Sequence, residues 1–240
     1  MTVGIYTTEE VDRLSARLIA DTIRSHPGAV IGLSTGRTTC SIHRELCRVV
    51  KEEGVDVSGV TFFGVDEVTG VSKNYAGACY AMLKTEVMDP LGIPEEHFLM
   101  LPTRSEDFEA DCKAFTAELG RRGGIELLLL GLGENGHLGF NQPGSPFSSS
   151  ARHSEMYPEL EERIRRETAT PADEPLGGVT LGLKDIMQSR NLALAAKGRA
   201  KAAIVKKMIQ GPVTEEVPAS VLQLHPSCTV LLDTEAANLL

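Results

Sequence analysis

Between Gly131 and Pro143 the chain reads Gly-Leu-Gly-Glu-Asn-Gly-His-Leu-Gly-Phe-Asn-Gln-Pro, with four glycines in nine residues around a single histidine. Glycine at this density permits a tight loop and a close backbone approach to a ligand. His137 on such a loop is a candidate for moving protons near neutral pH, a packed structural histidine being the alternative. No His-Glu-x-x-His motif and no second histidine lie at metal-ligand spacing, so the pattern is one of acid-base chemistry rather than of a metal site. A second candidate is the pair Asp66-Glu67 at the end of an apolar run. Neighbours on extended backbone point in opposite directions, so one of the two carboxylates faces a substrate as a base, or else caps the next helix. Third is Ser34-Thr35-Gly36-Arg37-Thr38-Thr39, a hydroxyl-rich turn opening a helix. Free backbone amides and the helix dipole there favour an anion, although Gly and Thr also suit any strand-to-helix turn. It is neither a Walker A loop nor a Gly-x-Gly-x-x-Gly fingerprint. Lys201, in Gly198-Arg199-Ala200-Lys201-Ala202, begins another helix after a strand, where it either reaches a bound phosphate or is solvated.

These segments need a scaffold that brings them together. Val11, Leu14, Leu18, Ile19 and Ile23 recur at helical spacing, with Thr7 and Glu10 in a capping-box pattern, so a first helix runs to about His26. Strands are predicted at 29–34, 60–65, 98–101, 125–130, 192–196 and 229–233, and helices at 40–53, 75–87, 108–121 and 199–209. Strands apolar throughout need cover on both faces, and strands separated by helices join as parallel neighbours. The expected fold is therefore an α/β, doubly wound, three-layer sandwich with a mostly parallel central sheet, in one domain over residues 1–240. The stretch from about 143 to 178, rich in Ser, Pro, Glu and Arg, breaks the alternation and is expected to be either a lid, over 144–178, or a disordered loop.

Composition narrows the functions. With 24 Lys and Arg against 33 Asp and Glu the net charge is −9, and no stretch interleaves basic and aromatic residues, so no nucleic-acid partner is expected. An anionic small substrate is still allowed, because a local pocket can oppose the net charge. Five cysteines without a Cys-x-x-Cys pair argue against both a disulfide framework and a structural zinc site. The longest apolar run, Leu127 to Leu130, is far too short for a membrane span, and the N-terminus has no signal-peptide pattern, so no membrane partner and a cytoplasmic location are expected.

The set Thr35-Gly36-x-Thr38, Val65-Asp66-Glu67, the histidine loop, Val179-Thr180-Leu181-Gly182, Gly198-x-x-Lys201-Ala202 and Leu222-Gln223-Leu224-His225-Pro226 resembles the glucosamine-6-phosphate deaminase/isomerase family, in the right order and over nearly the whole chain. Through Thr180 to Ile186 and Val217-Pro218-Ala219-Ser220 it is similar to the galactosamine-6-phosphate branch of that family. The resemblance implies aldose-ketose isomerisation and deamination of an amino sugar 6-phosphate, with no metal or organic cofactor, by a possible homo-oligomer. It implies Asp66 as the base at C2, His137 assisting ring opening, Asn135 and Gln142 in the catalytic loop, and the phosphate on Thr35, Gly36, Arg37, Thr38 and Lys201. The chain departs from the family in having Gln142 where a glutamate is usual and Arg37 in place of the second glycine of the turn, and no lid arginine is recognisable, although Arg163, Arg165 and Arg166 lie in that region. A 6-phosphogluconolactonase-like hydrolase, in which His137 would activate water, is the alternative enzyme. A phosphosugar-sensing domain is the non-catalytic one, and the early start of the first helix weighs against it.

Overall fold

The computed structural model describes residues 1–240. In chain order the elements are β1 (Thr2–Tyr6), α1 (Thr8–Ser25), β2 (Val30–Leu33), α2 (Thr39–Glu52), β3 (Thr61–Gly64), β4 (Asp66–Thr69), α3 (Cys79–Leu83), α4 (Asp89–Leu91), β5 (Phe98–Leu99), α5 (Phe108–Arg121), β6 (Ile125–Gly131), β7 (Arg152–Ser154), α6 (Pro158–Thr168), β8 (Gly177–Thr180), α7 (Leu183–Met187), β9 (Asn191–Ala196), α8 (Ala202–Gln210) and β10 (Cys228–Asp233). A π turn, Lys84–Met88, joins α3 to α4.

Seven strands form one sheet in the order β1-β10-β9-β6-β2-β3-β5, every pair parallel. Consecutive residues of the apolar strands serve opposite faces: Leu127 and Leu129 pack against α1 and α2, while Leu128 and Leu130 pack against α5 and α8. Both faces are thus closed by helices, which is the physical reason for strands without polar alternation. The capping box of α1 is present: the Thr7 hydroxyl accepts from the Glu10 amide at 3.2 Å and the Glu10 carboxylate accepts from the Thr7 amide at 2.9 Å. The five cysteines are unpaired. No helix is long and apolar enough to cross a membrane.

Chain order reverses direction across the β2–β6 pair: β2, β3 and β5 run to one edge, whereas β6, β9, β10 and β1 run to the other. In open parallel sheets the crevice at such a switch point, at the carboxyl ends of the strands, is where ligands bind. The Thr35–Thr38 turn follows β2 and the histidine loop follows β6, so the two meet at this point.

Three features differ from the sequence expectation. Strand β1 precedes the first helix; it is an edge strand with Val3 and Ile5 exposed, so burial left no periodic signature. A second, antiparallel sheet of order β4-β8-β7 stands on the carboxyl edge of the first, entered where the chain leaves β3 at Val65. The 144–178 stretch is not irregular: it carries β7 and α6, and Met156 and Ile164 share a small core with Val68, Val71, Ala78 and Phe140. One buried isoleucine and one half-buried leucine on a highly charged helix leave too little periodicity to read.

Candidate active site

Asp66 and Glu67 divide the two roles that the sequence left open. Glu67 is fully buried, and its carboxylate accepts the backbone N–H groups of Val68, Cys79 and Tyr80, each at 2.7 Å. It is therefore the residue that satisfies the free amides at the start of α3, which is why that helix begins at Cys79 rather than near Tyr75. Asp66, pointing the other way, keeps partial exposure at the carboxyl edge of the sheet. Burial pushes its carboxyl up to about 6, opposed by a hydrogen bond from the Cys79 thiol. Across the small sheet it is in register with Thr180.

The histidine loop is held by its own side chains. The His137 Nδ1–H donates to Asn135 Oδ1 at 2.7 Å, and the His137 backbone N–H donates to the same oxygen at 3.1 Å. Asn135 in turn donates through Nδ2 to Gln142 Oε1 at 2.9 Å. Gln142 thus supports the imidazole through Asn135 rather than by touching it. With Nδ1 carrying the proton, Nε2 is left as the lone-pair nitrogen. Burial, with the nearby Lys201 charge as a smaller cause, lowers His137 to about 4, so the ring is neutral at neutral pH. A Cβ on Gly133 would stand 2.2 Å from His137 Nδ1, so only glycine leaves room for the ring. Gly139 lies against Asp66, its would-be Cβ 3.5 Å from Asp66 Oδ2, which brings the loop and the carboxylate into one site. Tyr157, at the N-terminus of α6, places its ring 6.1 Å from the His137 ring, so the 144–178 segment borders the site.

The turn after β2 has Gly36 at φ +131° with open space around it, so the glycine is required by conformation and not by crowding. The backbone amides of Thr35, Gly36, Arg37 and Thr38 donate to no protein group, while those of Thr39 and Cys40 bond back to the Gly36 carbonyl. Consecutive free amides at the N-terminus of a helix make an anion site. Lys201 reaches this region from beyond β9: its ammonium lies 3.9 Å from Glu134 Oε1, and Arg37 lies 3.8 Å from the same oxygen. Lys201 is mostly buried and Arg37 fully exposed, and burial lowers the Lys201 ammonium below its usual range. Gly198, whose amide is fixed by both oxygens of Asp233 at 3.0 Å, sets the turn that aims Lys201.

The geometry therefore gathers Asp66, Asn135, His137 and Gln142 at one end, and Thr35, Gly36, Arg37, Thr38 and Lys201 at the other. The sequence reading gave no role to Glu134 and Thr180, which stand within its motifs, and did not single out Cys79 or Tyr157. Glu134 carried a signal, as a charge inside the glycine loop; Cys79 carried none, because a lone cysteine at a helix start has no pattern. The Leu222–Pro226 motif is structural: His225 is buried, donates through Nε2 to the Ser189 carbonyl at 2.9 Å and accepts at Nδ1 from the Ser227 amide at 3.1 Å. Gln223 bonds the carbonyls of Met208 and Gly211 at the end of α8, at 2.7 and 3.0 Å.

Free amides and two cations at one end of a switch-point crevice, with a carboxylate and a neutral histidine at the other, mark a protein of the doubly wound α/β class that has the groups to hold an anion and to move protons. The family model described as glucosamine-6-phosphate isomerases/6-phosphogluconolactonase matches residues 7–231, and the chain belongs to that family. It is similar to glucosamine-6-phosphate deaminase of Clostridium perfringens, 34% identical over 232 residues that cover 97% of this chain and 96% of that protein. It is also similar to glucosamine-6-phosphate deaminase 1 of Bacillus subtilis, 33% identical over 235 residues, with 97% and 96% covered. Among solved structures, one described as a monomeric glucosamine-6-phosphate deaminase superposes with a TM-score of 0.92 at 31% identity over 100% of both chains. The 6-phosphogluconolactonase of Trypanosoma cruzi superposes with a TM-score of 0.76 at 20% identity over 99% of this chain and 96% of that one, which speaks for the fold alone.

Proposed function

We propose that the protein converts an amino sugar 6-phosphate into a ketohexose 6-phosphate and ammonia. The phosphate sits on the free amides of Thr35 to Thr38, with Lys201 and Arg37 supplying positive charge. Held at that end, the sugar extends toward Asp66 and His137, so binding energy remote from the reacting carbons positions them. His137, with Nε2 as its acceptor, carries a proton between the C1 hydroxyl and the ring oxygen and opens the ring. Asp66 takes the C2 proton, which exchanges in part with solvent while it sits on the carboxyl, and returns a proton at C1; one proton leaves the C2 nitrogen and one reaches the C1 oxygen, so that the enolamine and then the C2 imine form. Water adds to the imine, ammonia leaves, and a ketone remains at C2.

The observation that supports this over lactone hydrolysis is Asp66 itself. A lactonase needs one group to activate water, and His137 suffices; a carbon acid needs a second base, and here a partly buried carboxylate stands beside the histidine loop with its pKa raised to about 6. The curated relatives above 30% identity, named as deaminases, point the same way. Their names are glucosamine names, and the galactosamine likeness read from the sequence concerns which group meets the C4 hydroxyl.

A panel of glucosamine 6-phosphate, galactosamine 6-phosphate and 6-phosphogluconolactone tests the proposal. Ammonia from either amino sugar is expected, and the faster one assigns the C4 epimer. Acid release from the lactone without ammonia from either amino sugar would replace this function with the hydrolase.

A further inference from the structure

Cys79 is buried at the start of α3, between the two ends of the site. The Thr35 hydroxyl donates to its sulfur at 3.1 Å, and the sulfur lies 3.8 Å from Asp66 Oδ1, within reach of an S–H donor. One side chain thus bridges the anion turn and the carboxylate, and Glu67 fixes its position by accepting the Cys79 amide.

We infer that Cys79 is a positioning residue for the reaction, its thiol holding the Asp66 carboxylate toward C2 and tying that carboxylate to the phosphate-binding turn through Thr35. This rests on the assignment of Asp66 as the base and of the Thr35 turn as the phosphate seat. Burial, together with the charges of Asp66 and Glu67, raises the thiol well above its usual range, so it stays protonated and can donate throughout the working pH range. Around the Asp66 carboxyl stand the Cys79 thiol from α3, the Gly139 backbone from the histidine loop, Thr180 from β8, and Glu67 as its chain neighbour. The thiol is the donor that favours the anionic form of Asp66, so removing it raises the pKa of the base.

The test is the pH profile of kcat/KM on the better amino sugar phosphate for Cys79→Ala, Cys79→Val and Cys79→Ser, with Tm alongside. The two apolar variants should move the acid limb upward by roughly half to one pH unit. Cys79→Ser keeps a donor and should stay nearer the parent than either. An acid limb unchanged in the apolar variants, or moved equally far by serine, overturns the inference. Two apolar variants of different size guard against one that fails to fold. Asp66→Asn separates the layers: if it still exchanges the C2 proton, the base assignment falls; if it is inert while the apolar variants keep the parent limb, the role of Cys79 alone falls.

Discussion

Two adjacent carboxylates in one sequence have opposite employment because extended backbone sends them to opposite sides, one into helix amides and one to the crevice. Asp66 as a base is active when deprotonated. With its carboxyl raised to about 6, kcat/KM should be level above about pH 7 and fall about tenfold per unit well below 6. Neutral His137, lowered to about 4, contributes no limb in that range. Asp66→Asn should abolish exchange of the C2 proton with solvent while leaving phosphosugar affinity within a few-fold, because the amide fills the same volume and cannot accept the proton. Gln142 raises the complementary question. Its oxygen accepts from Asn135, which orients the imidazole, but it supplies no charge. A carboxylate there would favour the imidazolium, one pKa unit corresponding to about 1.4 kcal/mol. Gln142→Glu should therefore make His137 a stronger proton acceptor and raise turnover on amino sugar phosphates several-fold, while the limb set by Asp66 stays in place; no gain on amino sugars together with a loss of the native activity would mean that glutamine marks a changed substrate.

At the scale of elements, the site is a set of strand ends and the turns that leave them. Lys201 is aimed by the Gly198 turn after β9, and the amide-lined turn follows β2. A desolvated charge-assisted contact is worth about 1.5–3 kcal/mol, so Lys201→Ala should weaken every 6-phosphosugar by roughly ten- to a hundredfold and leave unphosphorylated sugars almost unchanged. Affinity unchanged by that variant would move the phosphate toward Arg37. The histidine loop makes a sharper demand. A methyl group on Gly133 would stand 2.2 Å from the imidazole, so Gly133→Ala should displace the ring and lower kcat by about a hundredfold. Leu132 and Leu138 anchor the loop in the larger core on either side of His137, so the variant should stay folded. The central strands and the crossover helices were legible because burial on both faces leaves apolar runs and helical stripes. The small sheet was not: Asp66–Thr69 is two adjacent acids followed by Val and Thr, and its one partner strand is β8, at Gly177–Thr180, so its pairing is purely tertiary. Helix α6 was hidden for a related reason, since only Ile164 and the half-buried Leu160 anchor its inner side.

At the scale of the molecule, a protein of net charge −9 gathers two cations and four free amides at a single point where the sheet's strand order reverses, a local surrounding that can oppose the net charge. Glu134 lies within 4 Å of both Arg37 and Lys201 there, and on the proposed function the substrate phosphate shares those cations. The candidate residues were readable from strand ends and from the family resemblance, whereas the links among them were not. That Asn135 stands between Gln142 and His137, or that Cys79 stands between Thr35 and Asp66, follows from three-dimensional contacts that spacing does not encode. The central claim is that one site both moves a proton from C2 to C1 and releases the C2 nitrogen. Incubating the protein with glucosamine 6-phosphate and galactosamine 6-phosphate in deuterated water, while following ammonia and the mass of the ketose phosphate, measures both events together. One ammonia per ketohexose 6-phosphate, with deuterium entering at C1 and both signals lost in Asp66→Asn, is the predicted result; neither ammonia nor deuterium from either sugar would contradict the account.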